Sequence, residues 1–307
     1  MFRLAHLSDV HLGPLPDLTY RELASKRVTG YVNWQRNRRK FMHDGVIDAV
    51  VNDMKASSPN HLAVTGDLVN LALDGEIEMA RLWLQELGSP DDVSVVLGNH
   101  DAYVPGAFDK ACKAWGPWMA GDGLAPPTDR NAFPYLRVRD NVALIGVSSA
   151  HATAPFMATG FFREAQAERL GKLLDIAGKA GHCRVIMIHH PPVRGAVPQH
   201  KRLFGISRFH KTIAKHGAEL VLHGHSHLPS LFVIGGKNKT PVVGVAAAGQ
   251  GLGASKPPAQ YNLLDISGEA GNWNIQLTRR GLTGVSMPLS DIEKRDLEVG
   301  SSQLVRS

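Results

Sequence analysis

Histidine, aspartate and asparagine residues gather at five points of this 307-residue chain, each time just after a short apolar run. The five segments are Asp9-Val10-His11, Gly66-Asp67-Leu68-Val69-Asn70, Gly98-Asn99-His100-Asp101, His189-His190-Pro191-Pro192 and His223-Gly224-His225-Ser226-His227. Functional side chains of open α/β sheets lie beyond the carboxyl ends of the strands, so we expect the five segments to converge at one edge.

The donor atoms of these segments predict a metal site. Carboxylate, amide oxygen and imidazole suit Mn, Fe or Zn, and the set contains no thiolate. A single carboxylate such as that of Asp67 can bridge two ions, while His225 and His227 can each face a different ion. Two ions roughly 3.5–4 Å apart activate water and stabilise the oxygens of an in-line phosphoryl displacement. The glycines before Asp67, Asn99 and His225 allow the backbone to approach an ion or a phosphate closely.

Short apolar strands alternate with amphipathic helical patterns, which predicts an α/β protein. The predicted strands are 2–8, 61–65, 93–97, 135–138, 142–147, 184–188, 218–222, 231–234, 242–246, 261–266 and 273–278. The predicted helices are 41–55, 74–87 and 163–180, with a short helix capped by Ser207, and 102–131 is expected to be a long surface loop.

Strands recur at both ends of the chain without an evident linker, which favours one domain with two packed sheets over residues 1–283. Residues 284–307 are polar and are expected to form a C-terminal tail.

The net charge of +6 is concentrated in one segment. Between Arg21 and Lys40 there are seven basic residues and one acid, Glu22, so this segment accounts for the whole surplus and the rest of the chain is neutral. A nucleic-acid coat protein spreads its positive charge over a whole face or tail, so we expect no nucleic-acid partner.

A cytoplasmic location is expected from the remaining composition. Cys112 and Cys183 offer no disulfide framework, which favours a reducing compartment. The first residues lack the apolar run of a signal peptide, and no segment reaches the roughly 18 apolar residues of a membrane span.

The five segments, read in order as D-x-H, G-D-x-x-N, G-N-H-D, H-H-P-P and G-H-x-H, resemble the calcineurin-like metallophosphoesterase family. Within that family they look most like bacterial class III cyclic-nucleotide phosphodiesterases. The resemblance covers the chain from Asp9 to His227 and implies a four-layer αββα sandwich of two mixed sheets with flanking helices.

The resemblance also implies a role for each motif residue. Asp9, His11 and His227 would bind the first ion; Asn99, His189 and His225 would bind the second; Asp67 would bridge both. His189 is chosen over His190 because the family's ligand lies two residues before the first aligned proline. His100 would be the catalytic histidine, and Asp101 would orient it through a hydrogen bond to its far nitrogen.

The implied activity is that of a phosphohydrolase with two divalent or trivalent metal ions (Mn, Fe or Zn) acting on an anionic phosphoester. The favoured reaction is hydrolysis of a small phosphodiester or cyclic nucleotide by a hydroxide held between the ions. One alternative is a pyrophosphohydrolase of an amphiphilic nucleotide-lipid such as UDP-2,3-diacylglucosamine. The non-enzyme alternative is a metal-binding scaffold that has lost catalysis, but every motif residue is present.

Two regions are expected to contact the substrate or a surface. His151, Arg194, Lys201 and Arg202 follow strand ends near the same edge and are the predicted substrate-binding residues. Residues 14–40 are predicted to form a basic helical insert with apolar and aromatic residues at helical spacing. The insert is read either as a lid with a solvated basic face or as a strip for peripheral contact with the inner membrane through 20–40. The sequence leaves this choice, and the oligomeric state, open.

Overall fold

Two large sheets carry the chain's strands. The structure is a computed structural model that describes residues 1–16, 19, 25–35, 45–235, 238–284 and 289–301. Its strands are β1 (Phe2–Leu7), β2 (His61–Val64), β3 (Val93–Val95), β4 (Tyr135–Arg139), β5 (Val142–Gly146), β6 (Gly160–Phe161), β7 (Cys183–Met187), β8 (Leu203–Phe204), β9 (Leu220–His223), β10 (Ser230–Ile234), β11 (Asn238–Gly244), β12 (Gln260–Glu269), β13 (Asn272–Gly281), β14 (Ser290–Leu297) and β15 (Gly300–Ser301).

The described helices lie mostly between the strands. They are α1 (Arg27–Asn33), α2 (Val46–Ala56), α3 (Asp74–Leu87), α4 (Ala107–Trp115), α5 (Glu164–Lys179) and α6 (Ile206–His216), with short 3-10 turns at Gly116–Met119, Arg130–Ala132 and Gln199–Lys201.

Both large sheets are mixed. The first has the strand order β14-β13-β12-β1-β2-β3, in which β1, β2 and β3 are parallel and β12 to β14 are antiparallel. The second has the order β10-β11-β9-β7-β5-β4, in which β5, β7, β9 and β11 are parallel. In each sheet the parallel strands therefore end at the same edge.

The apolar residues of these strands form the inner layers of the molecule. Leu4 and Leu264 of the first sheet and Leu144 and Leu222 of the second belong to one buried cluster between and around the sheets. A second cluster covers the other face of the second sheet, where α5 and α6 pack against it. Helices α2 and α3 bury residues such as Met54 against the first sheet. The predicted four-layer αββα arrangement is confirmed.

Part of the predicted loop 102–131 is helical. Helix α4 buries Phe108, Cys112 and Trp115, which are spaced as one helical face, and the Trp115 indole donates a hydrogen bond to the carbonyl oxygen of Ile77 (2.9 Å). The glycines, prolines and tryptophans on both sides of this short helix obscure its period, so the prediction of a loop over the whole range is wrong.

The predicted tail 284–307 contains an edge strand. Strand β14 pairs with β13 on both sides of a β-bulge opposite Arg279 and Arg280, and Leu297 is buried. Five charged residues among the eight of β14 conceal the strand from a hydropathy pattern, yet Glu293 lies 2.9 Å from the buried Arg279 guanidinium. Residues 285–288 and 302–307 lie outside the described residues.

The described part of the predicted basic insert packs on the domain. Arg27 donates hydrogen bonds to the carbonyl oxygens of Leu71 (3.0 Å) and Ala72 (2.6 Å). A Cβ atom added to Gly30 would lie 2.4 Å from the Tyr103 hydroxyl, so α1 approaches this ring as closely as only glycine allows. Trp34 is buried, while Arg21, Arg36 and Lys40 of the basic segment lie outside the described residues.

This docking predicts the effect of Gly30→Val. The larger side chain collides with Tyr103 and Leu71, which weakens the contact of α1 with the domain. We expect trypsin to cleave after Lys26 and Arg27 about tenfold faster than in the native protein, since local opening exposes the site to the protease. Val32→Ala is the matched control, because Val32 lies on the same helix and is 41% exposed. Equal cleavage rates for Gly30→Val and the native chain would show that α1 is not held by this contact.

Candidate metal centre

The loops that follow β1, β2 and β9 hold polar residues in left-handed backbone conformations. Asp9, His11, Asp67, His225 and His227 have φ between 49° and 67°, a region that is costly for residues other than glycine. Such strain of roughly 1–3 kcal/mol per residue persists only where the surroundings enforce it, and it is concentrated at functional sites. Hydrogen bonds between the loops provide that enforcement: the Asp9 amide donates to Gly66 (2.9 Å) and the His11 amide to Asp67 (3.0 Å).

One group of donor atoms surrounds the Asp67 carboxylate. Its Oδ2 lies 3.4 Å from His189 Nε2, which in turn lies 3.2 Å from the Asn99 side-chain oxygen. His11 Nε2 lies 3.9 Å from the same Oδ2. Asp67 and His189 are almost completely buried.

A second group surrounds the Asp9 carboxylate. Its Oδ1 lies 3.0 Å from His227 Nε2 and 3.9 Å from His11 Nε2, and its Oδ2 accepts a 2.9 Å hydrogen bond from the His225 amide. His11 therefore lies between the two buried carboxylates, and Asp9 and Asp67 each face two imidazoles.

The far nitrogens of two of these histidines fix which nitrogen faces the carboxylates. His11 Nδ1 lies 3.1 Å from the carbonyl oxygen of Val69, and His189 Nδ1 lies 2.7 Å from that of Thr65. A carbonyl only accepts, so each Nδ1 carries a proton, and the Nε2 lone pair faces the carboxylates once the Nε2 proton is lost, as on binding a metal ion. A cation between a lone pair and a carboxylate satisfies both, so these residues fit metal ions.

The electrostatics of the two groups also favour bound cations. Burial lowers the pKa of His189, but the Asp67 carboxylate outweighs burial and raises that pKa to about 9. Burial likewise raises the pKa of Asp67, and the neighbouring His189 and His100 bring it well below its usual range. Two buried carboxylates stay ionised here only with positive charge beside them.

His225 and His190 extend the site on the side of the second sheet. Donor atoms of His189, His190 and His225 all lie within 4.8 Å of one another. His225 Nε2 contacts the carbonyl oxygen of Lys201 (2.9 Å), which leaves its Nδ1 as the other donor atom. Burial, together with the neighbouring imidazoles, holds the pKa of His225 well below its usual range, so this ring is neutral.

His190 is held by groups other than the carboxylates. Its Nδ1 lies 2.8 Å from the Ser149 hydroxyl and its Nε2 lies 3.3 Å from the carbonyl oxygen of Ala158. The partners of the His190 ring are a hydroxyl and a carbonyl, whereas His189 Nε2 lies 3.4 Å from the Asp67 carboxylate. Ser149 carries no motif signal in the sequence, because only the fold brings it next to His190.

Asp101 makes contacts different from the predicted one. Its Oδ1 accepts hydrogen bonds from the amides of Leu68 (2.9 Å) and Val69 (3.2 Å), and its Oδ2 accepts them from the amides of Asp67 (2.8 Å) and Gly98 (2.7 Å). The prediction that Asp101 orients His100 through the far ring nitrogen is therefore wrong. The carboxylate ties the G-D-x-x-N segment to the G-N-H-D segment through their backbones.

The carbonyl oxygen of Asn70 takes the place predicted for Asp101, 2.5 Å from His100 Nδ1. The His100 ring also stacks on Tyr103, with 5.3 Å between the ring centroids. Asn70 is fixed by a 2.8 Å hydrogen bond from its amide to the buried Glu76 and a 2.9 Å bond from its side chain to the Leu12 carbonyl. A backbone carbonyl has no residue signature, so sequence reasoning could not identify this partner.

The four predicted substrate-binding residues each contact other groups of the protein. The Arg194 guanidinium donates to Ser207 (2.6 Å), and Arg202 lies over the Phe204 ring, 4.4 Å from its centroid. Lys201 contributes its carbonyl oxygen to His225. His151 is half-buried with its ring edge against Phe161.

Comparisons with known proteins agree with this geometry. The family described as calcineurin-like phosphoesterase matches residues 2–229. A Synechococcus protein named a probable cyclic nucleotide phosphodiesterase is 27% identical over 233 residues, covering 75% of this chain and 80% of that protein.

Two solved structures share the fold. A dimetal phosphatase from Danio rerio superimposes with a TM-score of 0.62 at 11% identity, covering 98% of this chain and 99% of that one. A purple acid phosphatase, PPD1, from yellow lupin gives 0.53 at 13% identity, covering 91% of this chain and 51% of that one. At these identities the likeness concerns the fold.

The contacts of Asp101 predict the effect of Asp101→Asn. The new amide group faces backbone N–H donors, so two of the four hydrogen bonds are lost and buried donors are left unsatisfied. We expect the free energy of unfolding to fall by about 2–3 kcal/mol, measured by urea denaturation. Asp109→Asn is the matched control, since Asp109 is exposed on α4. An unchanged midpoint for Asp101→Asn would contradict a structural role for this carboxylate.

Proposed function

The chain belongs to the calcineurin-like phosphoesterase family and is a phosphoester hydrolase, and from that premise we propose that it is a phosphodiesterase with a dinuclear metal centre. The observation that carries this proposal is the pair of buried carboxylates, Asp9 and Asp67, with three imidazole nitrogens 3.0–3.9 Å from their oxygens.

The proposed ligands follow from the two groups of donor atoms. Asp67 would be shared by both ions; Asp9, His11 and His227 would complete one site; Asn99, His189 and His225 would complete the other. Bound in this way, Mn, Fe or Zn would supply an acidic water and positive charge for the phosphate oxygens.

His100 is proposed to handle the proton of the leaving oxygen. Its Nδ1–H is directed to the Asn70 carbonyl, so in this proposal the other ring nitrogen, Nε2, passes the proton to the leaving oxygen. The ring edge lies against His11, with 4.9 Å between the centroids, which supports a position over the centre. In this proposal Asp101 serves catalysis through the loops that it joins and is not a proton carrier.

A small phosphodiester or a cyclic nucleotide is the proposed substrate. The name of the Synechococcus relative supports this class. The nucleotide-lipid alternative relied on the basic insert, and Lys26 and Arg27 of that insert are engaged with the protein itself. We therefore interpret the described part of the insert, residues 25–35, as a lid beside Tyr103 and His100. Among the described residues, no helix is long and apolar enough to cross a bilayer.

The ligand assignment predicts that Asp67→Ala and His189→Ala lose metal and activity together. Each removes a donor from the buried group, and Asp67→Ala affects both ions. We expect metal content by mass spectrometry to fall from two ions per chain, and hydrolysis of bis-p-nitrophenyl phosphate to fall by about a hundredfold or more. His182→Ala is the control, because His182 lies outside the centre. Near-normal turnover by a metal-stripped native sample would exclude the proposed function.

The substrate proposal predicts a preference for cyclic AMP over detergent-solubilised UDP-2,3-diacylglucosamine. The metal-loaded native protein should hydrolyse the cyclic nucleotide with the higher kcat/KM, measured by phosphate-ester product analysis. The opposite preference would favour the nucleotide-lipid activity and would reassign the insert as a lipid-contact element.

A further inference from the structure

A small cavity beside the candidate metal centre is lined by basic groups. Its volume is about 60 Å³, and its charged or titratable lining residues are Arg130, His151, Arg163 and Arg169. The first turn of α5, through Ala165 and Gln166, forms another part of the wall. The first amides of a helix lack intrahelical acceptors and favour negative charge. The backbone and the arginine side chains therefore both give the cavity a positive potential.

The cavity shares a wall with the metal centre. Ser148 and Ala150 line it, and Ser149 between them contacts His190 Nδ1 at 2.8 Å. The donor atoms of His190 and His189 belong to one group within 4.8 Å. The segment 148–150 therefore has contacts with both the cavity and the histidines of the centre.

The positive charges at the cavity are not neutralised by the protein. Among the described residues, no carboxylate lies within 4.0 Å of the Arg130 or Arg163 guanidinium. Both guanidinium groups are instead held over aromatic rings, Arg130 over Phe108 (5.1 Å) and Arg163 over Phe161 (5.4 Å). A guanidinium that stacks in this way keeps its N–H groups directed outward in the plane, where they can bind an anion.

The histidine of the cavity is surrounded by the same charges. Burial lowers the pKa of His151, and the positive charges of Arg130, Arg163 and Lys26 lower it further. The buried Nδ1 of His151 has no hydrogen-bond partner among the described residues. His151 is thus a neutral polar group in the wall of the cavity, beside Arg130 and Arg163.

We propose that this arginine cavity binds a second anionic group of the substrate, a phosphate or a carboxylate. The inference rests on the proposed phosphodiesterase function and adds a preference within its substrate class: small phosphodiesters that carry a further anion bind more tightly than those, such as cyclic AMP, that carry one. The size of the cavity agrees, since a volume of about 60 Å³ leaves room for a small oxyanion beside the arginines. Arg169 donates two hydrogen bonds from its guanidinium to the Phe133 carbonyl, so it contributes positive charge to the cavity more than hydrogen bonds to an anion.

The test uses isothermal titration calorimetry on the metal-loaded protein, with alkanediol bisphosphates whose chains run from two to six carbons. Each is compared with the monophosphate of the same alcohol, and alkyl phosphates ending in a carboxylate form a parallel series. For at least one chain length, we expect the second anion to tighten binding about tenfold. The series that shows the gain identifies the anion as phosphate or carboxylate.

Variants locate the gain. In the double variant Arg130→Gln/Arg163→Gln, the ratio of the monophosphate Kd to the bisphosphate Kd should fall to about one. The double variant Lys211→Gln/Lys215→Gln removes the same charge from the exposed face of α6 and should keep the native ratio. Ala165→Glu, which retains every arginine and places a carboxylate at the cavity wall, should also abolish the gain.

The two proposals fail in different ways. Equal binding of bisphosphate and monophosphate at every length, or a gain that persists in Arg130→Gln/Arg163→Gln and Ala165→Glu, would overturn the arginine cavity while leaving the phosphodiesterase function intact. Absence of bis-p-nitrophenyl phosphate hydrolysis by the metal-loaded native protein would overturn the function, and the calorimetric ratio would still decide whether the cavity binds an anion.

Discussion

Two carboxylates, those of Asp9 and Asp67, are buried side by side at the edge where the two sheets meet, and the rest of the centre depends on this placement. Each is almost inaccessible to water, so the repulsion between them must be balanced by positive charge. The protein brings imidazoles to both, and divalent or trivalent ions provide a stronger balance. The parallel strands of each sheet end at the same edge, so the loops that carry these residues lie next to one another.

Backbone groups, more than side chains, hold the centre in shape. Carbonyl oxygens of Val69, Thr65 and Asn70 set the tautomers of His11, His189 and His100, and the Asp101 carboxylate gathers four amides from two loops. The backbone also lies very close to both carboxylates. A Cβ atom on Gly98 would lie 2.2 Å from Asp67 Oδ1, and one on Gly224 would lie 2.6 Å from Asp9 Oδ2. The glycines of the motifs are therefore required by space around the carboxylates.

Much of the fold could be predicted from the sequence, since each buried strand is a short apolar run and each site residue follows such a run. The predicted ligand residues are brought together within the two groups described above. Helix α4 was concealed by the glycines and prolines around it, and strand β14 was concealed by its many charged residues. The hydrogen-bond partner of His100 was misassigned because a backbone carbonyl can belong to any residue. The adjacent Asp101 has a side-chain carboxylate of the kind that accepts a hydrogen bond from histidine, so it was predicted instead. The arginine cavity joins residues from distant segments, which no local pattern reveals.

The five strand-end segments are proposed to hold a pair of ions that share Asp67. Anomalous diffraction at the manganese edge, from crystals of the protein grown with Mn²⁺, measures this directly. We expect two peaks roughly 3.5–4 Å apart, one on each side of the Asp67 carboxylate. A single peak, or peaks remote from Asp67, would contradict this arrangement.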